Sequence, residues 1–130
     1  MILTKAQILD ADDIKKETIP VPEWGGEVLV RMLTGAQRDA FEDSMIKVRG
    51  KSKETNLVNI RARLCALCII DEEGKRLFND TEIVNLGNKS AIALDRVFSA
   101  ARKLNGLTED DVEELAKNLG KGQSEDSTTV

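Results

Sequence analysis

Cys65-Ala66-Leu67-Cys68 is the first stretch of this chain whose residue types and spacing could do chemistry. A CxxC pair can hold zinc or shuttle electrons, and either use makes demands on its surroundings. Zinc needs about four ligands, and the chain has no histidine and no third cysteine. A redox pair belongs at a helix N-terminus, where the dipole lowers the thiol pKa. Cys65 and Cys68 fall well inside a predicted helix and read as core packing. Asp71-Glu72-Glu73 offers three carboxylates, but beside Gly74 they read as turn residues in water. Gly25-Gly26 has no lysine or helix start after it, so no phosphate loop is implied. The missing histidine also removes the commonest general base. The expectation is a protein that is not an enzyme, with no cofactor and no metal.

Trp24 is the open case. At a loop tip it can fold back over the core or stand out as an interface anchor, and its residue type suits both roles.

The rest of the composition narrows the partners. The formal charge is −4 with no basic block beyond Lys47–Lys53, so nucleic acid is not expected as a partner. That basic stretch reads first as solvated surface, and second as a contact for an acidic partner. The Met1-Ile2-Leu3 start has no basic region and no long apolar run, which argues against a signal peptide and a membrane span. The expectation is a soluble, intracellular protein. Its 130 residues suffice for one domain. With aromatics at only 3%, aliphatic side chains must build the core.

Those elements can be placed from local signals. Thr4 and Gln7 form a capping box stapled by Leu3 and Ile8, opening a short helix before the acidic linker Asp10, Asp12 and Asp13. Thr18–Met32 reads as a β-hairpin. Proline cannot donate to a neighbouring strand, and Pro20 and Pro22 favour a four-residue loop, Trp24–Glu27. Thr18–Glu23 is then an edge strand, with Val21 facing Val30 and Ile19 facing Met32. Thr34 and Gln37 cap a second helix expected to run to about Val48, with Ala40, Phe41, Met45 and Val48 on one stripe and Gly50 as its stop. The next helix, about Asn56 to Ile70, is broadly apolar and reads as central, with Leu57, Ile60, Leu64 and Leu67 on its main face. Ile69-Ile70 and Arg76–Phe78 form a very short β-pair. Asn79 and Glu82 cap a short helix ending near Leu86-Gly87. A helix from Asn88 or Ser90 carries Leu94, Val97, Phe98, Ala101 and Leu104, and closes at Gly106. A last helix follows Thr108, with Val112, Leu115, Ala116 and Leu119 apolar. The expected fold class is α+β: one mostly helical domain over 1–119, an N-terminal hairpin packed on about four to five helices. A polar tail, 120–130, is expected to be disordered.

Three motifs in this order carry a family resemblance: Val21-Pro22-Glu23-Trp24-Gly25-Gly26, then Ile70–Gly74 with Leu77-Phe78, then Leu104–Asp110. The chain resembles the tail assembly chaperones of long-tailed (siphovirus-type) bacteriophages over about Ile8 to Lys117. The motifs are structural, and no catalytic residue is carried over with them.

The resemblance implies a chaperone that coats the apolar tape-measure protein in the host cytoplasm and is absent from the mature virion. It also implies a longer product made by ribosomal frameshifting, whose extension meets the major tail protein. Leu119-Gly120-Lys121 can be encoded by a slippery heptamer. The other reading is a structural minor tail component of connector or terminator type. An apolar partner helix would use helix-in-groove contacts. The candidate partner-binding residues are Trp24, Leu29, Leu115 and Leu119. Self-association is a further expectation.

Overall fold

The computed structural model describes residues 1–49 and 52–107. Helix α1, Lys5–Asp10, begins at the expected capping box: Thr4 Oγ1 accepts from the Gln7 N–H, and the Gln7 side chain accepts from the Thr4 N–H at 2.9 Å. No residue of α1 is buried.

Strand β1, Lys16–Val21, and strand β2, Gly26–Arg31, form the N-terminal hairpin. The loop has four residues, but they are Pro22–Gly25, so the predicted pairing is corrected. Val21 faces Gly26, Ile19 faces Val28 and Glu17 faces Val30. Pro22 opens a 3₁₀ turn through Trp24, where its fixed φ and missing N–H cost nothing. Gly25 closes that turn at φ 75°, a conformation that favours glycine, and donates to the Pro22 carbonyl. The facing pattern survives, because the shift is even and Ile19, Val21 and Val30 still point inward. Met32 donates to the Lys15 carbonyl at 2.9 Å. Alternation along the ladder then turns the Pro20 nitrogen to the open edge, as the proline argument required.

Helix α2, Gly35–Ser44, has the Thr34–Gln37 capping box, but it stops before Met45. Instead of the helix continuing to Val48, β3, Ile46–Arg49, pairs with β4, Ser52–Thr55. The basic stretch is therefore part of a hairpin, and Gly50 lies outside the described residues. Of the predicted stripe, Phe41 and Met45 are buried and Ala40 is exposed.

Helix α3 covers Ile60–Cys68, four residues later than expected at its start. Asn59 before it takes a left-handed φ of 57°, which ends the incoming chain. Leu57 and Val58, expected on the core face, are exposed. Arg63 of α3 holds the second hairpin by its ends, donating to the Ser44 carbonyl at 2.5 Å and the Asn56 carbonyl at 2.6 Å.

Helix α3 runs straight into β5, Ile69–Ile70, which bridges Arg76 as expected and also pairs with β2. The sheet order is β1-β2-β5. Asn79 and Glu82 form their capping box around a 3₁₀ turn, and α4, Ile83–Gly87, follows. Helix α5, Ala91–Leu104, is capped by Ser90. Its Leu94, Val97, Phe98 and Ala101 are buried, as its spacing predicts. The fold is α+β, with the sheet on one side of α3 and α5. The expected helix after Thr108 and the tail 120–130 lie outside the described residues.

Asn105 joins three of these elements. Its Oδ1 accepts from the Leu33 N–H at 2.6 Å, and its Nδ2 donates to the Ala101 carbonyl at 2.8 Å and reaches Cys68 Sγ at 3.7 Å. Asn105→Leu leaves a part-buried N–H without a partner and is expected to cost about 1–3 kcal/mol. Thermal unfolding should show Tm falling by about 4–8 °C per kcal/mol. A Tm equal to wild type would mean that Asn105 does not tie β2 to α5.

Candidate partner-binding site

The sharp turn after β1 fixes where Trp24 goes. Glu23, in the same turn, accepts from Arg96 Nε of α5 through both carboxylate oxygens, at 2.8 and 3.0 Å. This pair pins the hairpin tip to α5. The Arg96 hydrogen bond holds the Glu23 carboxyl below its ordinary pKa, and Arg96 is raised in turn.

With the tip held, Trp24 is half-buried. It packs against the core and also faces an open pocket of about 570 Å³ that Phe78, Asn85, Leu86 and Lys89 complete. Trp24 thus folds back against the core and still presents part of its surface to the pocket. Its Nε1 is enclosed and has no acceptor among the described residues. The wall is apolar because each contributor also serves a fold element. Phe78 precedes the Asn79 cap, and Leu86 is the buried residue of α4. Lys89, which also lines the pocket, lies between α4 and α5.

Leu29 lies elsewhere. It projects from β2 on the opposite face from Val30, into a second depression of about 530 Å³ shared with Thr18, Ile70 and Leu77. Glu27, Asp71 and Glu72 give that depression an acidic rim. Trp24 and Leu29 are therefore not brought together. Leu115 and Leu119 lie outside the described residues.

Residue spacing did not single out Phe78, Leu86 or Lys89 as neighbours of Trp24. Phe78 had a visible signal as the residue before a cap. The pairing of Glu23 with Arg96 had none, since 73 positions separate them.

The other chemical candidates take the roles that sequence assigned. Cys65 and Cys68 are fully buried. Burial pushes the Cys68 thiol up to about 12 and the Cys65 thiol in the same direction. Neither is poised as a nucleophile. Asp71 Oδ1 accepts from the backbone of Glu73 and Lys75, which makes it a turn residue. Among the described residues no cluster of three or more His, Cys, Asp or Glu is placed to hold a metal ion.

The depressed Glu23 pKa has a direct consequence. Its contact with Arg96 is present above the ordinary carboxylate value and is lost as pH falls through the lower, folded value. Trp24 emission should therefore change on acid titration below about pH 4. Glu23→Gln should lack that step, and an unchanged titration in this variant would count against the clamp.

The fold and pocket can be set beside known proteins. A family model described as phage tail assembly chaperone matches residues 4–118. Among solved structures, the bacteriophage HK97 tail assembly chaperone aligns with a TM-score of 0.55 at 16% identity. That alignment covers 80% of this chain and 95% of the other. At this identity it shows a shared fold. No curated protein sequence matches the chain. Because the family match takes in the hairpin, the central helix and α5, this chain belongs to the phage tail assembly chaperone family.

Proposed function

We propose that this chain binds the tape-measure protein of its phage and keeps that long, apolar protein soluble while the tail is built. It acts without catalysis, in the cytoplasm of the bacterial host, and leaves before the virion is complete. The observation that carries this reading is the family match over residues 4–118. The surface supports it: the apolar opening beside Trp24 suits side chains of a helical partner, and no assembled catalytic group lines it. Modest binding per copy, multiplied along a long partner, would let the tail tube displace the chaperone as it polymerises. A longer frameshifted form would carry the same domain and reach the major tail protein through its extension.

Co-expression with the tape-measure protein tests the central claim. The expected result is a soluble complex that co-purifies, and an insoluble tape-measure protein with no complex would sink it. Mass spectrometry of purified virions should find this chain absent. Abundant copies there would favour the structural tail component instead. For the frameshift, the codons for Leu119-Gly120-Lys121 should form a slippery heptamer, and synonymous codons without one would remove the idea.

A further inference from the structure

Asn105 and Gly106 form the only asparagine–glycine pair in the chain. Such a pair carries a reaction of its own, because glycine has no Cβ to shield its backbone nitrogen from the preceding side chain. The fold nevertheless calls for both residues. Gly106 follows α5 at φ 67°, the left-handed conformation that favours glycine. Asn105 accepts from the Leu33 N–H and donates to the Ala101 carbonyl and Cys68 Sγ, a task for an amide, which has an acceptor oxygen and donor hydrogens on one side chain. We propose that Asn105 is a deamidation site kept closed by the latch it forms, so that conversion marks chains in which the end of β2 has come away from α5.

The reaction is internal apart from water. The Gly106 nitrogen gives its proton to hydroxide and attacks Cγ of Asn105. The new N–Cγ bond closes a five-membered succinimide, and the Cγ–Nδ2 bond breaks as Nδ2 takes a proton from water and leaves as ammonia. Water then adds to either imide carbonyl and opens the ring to aspartate or isoaspartate. In sum, water is consumed and ammonia released.

Each step is blocked while the latch is made. The Gly106 N–H donates to the Lys103 carbonyl at 3.1 Å, which protects its proton from base. The Asn105 side chain is fixed at 2.6 Å from the Leu33 nitrogen and 2.8 Å from the Ala101 carbonyl, so Cγ is not free to swing toward Gly106. Asn105 has ψ 2°, and ring closure needs a large rotation about that bond to bring the reacting atoms together. The rotation would break the Gly106 contact and pull the Leu107 N–H from the Arg102 carbonyl, where it sits at 2.7 Å with the Leu107 side chain buried.

The products do not restore the latch. Aspartate at this position turns a carboxylate toward the Ala101 carbonyl and has no hydrogen to give it or Cys68. Isoaspartate adds a methylene to the backbone between α5 and Leu107. A brief opening is thus converted into a permanent one. The inference concerns the chain's own chemistry and does not rest on tape-measure binding.

The test follows the wild-type, full-length chain in mildly alkaline buffer, native and in unfolding guanidinium chloride, by peptide mass spectrometry. In the unfolded chain Asn105 should convert before any other asparagine. In the native chain it should convert at least roughly tenfold more slowly, with the rate rising as added denaturant raises the open fraction. Asn105→Asp, which reproduces one product, should lower Tm and speed hydrogen exchange at the Leu33 amide. Equal rates in native and unfolded chains would overturn the proposal, as would an unfolded chain in which Asn105 stays intact while other asparagines convert. An Asn105→Asp chain with wild-type Tm and wild-type protection at Leu33 would overturn the claim that conversion opens the latch. The rate comparison needs no variant, so it decides the site even where Asn105→Asp does not fold.

Discussion

Between Leu64 and Ile70 every residue but Leu67 is shut away from water, and the rest of the fold follows from that. Leu64, Cys65, Ala66, Cys68 and Ile69 are fully buried and Ile70 nearly so. A segment enclosed over most of its surface needs neighbours around it, and the sheet, α2, α4 and α5 supply them. Small residues let those neighbours come close. A Cβ on Gly87 would meet Asn59 Oδ1 at 2.6 Å and Ala62 Cβ at 3.6 Å, so a side chain there would require the Asn59 side chain at the start of α3 to move. The two cysteines belong to the same economy of volume: each is a small side chain in a crowded place, and Cys65 Sγ lies 3.9 Å from the Leu94 carbonyl of α5.

Polar groups tie this core to the periphery at a few points. Arg63 leaves α3 just before the buried run begins and grips both ends of the β3–β4 hairpin. Burial lowers its pKa in direction, but a guanidinium stays charged throughout the physiological range. Glu23 and Arg96 fasten the first hairpin to α5. Both hairpins are thus held by arginines from the helical layer, one through backbone carbonyls and the other through a carboxylate. That division matters for Trp24, whose position depends on the exposed pair rather than on burial alone.

Much of this fold was legible because helix starts are written locally. The boxes at Thr4, Thr34 and Asn79 need only residues three apart, and all three formed. Strand pairing was less legible. The proline argument correctly sent the Pro20 nitrogen outward, yet placed the loop too late because Pro22 fits the first position of a 3₁₀ turn as well as it fits an edge strand. Ile46 and Val48 continue a helical stripe and also alternate as a strand does, so periodicity over so few residues could not separate the two. Leu57 and Val58 extend the apolar face of α3 on paper, but Asn59 turns the chain before the helix begins. Of the site, Trp24 was visible by residue type. Its neighbours come from a different part of the chain, and only packing brings them together.

The open edge of β1 limits how this protein can be recognised. Its outward-facing backbone positions are Lys16, Thr18 and Pro20, and the proline has no hydrogen to give. The opposite edge is the two-residue β5, already bridged by Arg76. Neither edge of this three-stranded sheet offers a long unbroken ladder to an incoming strand, which disfavours β-augmentation there. At this sheet, selection of a partner then falls to side chains in pockets, which read shape and polarity, rather than to backbone contacts that accept almost any extended sequence.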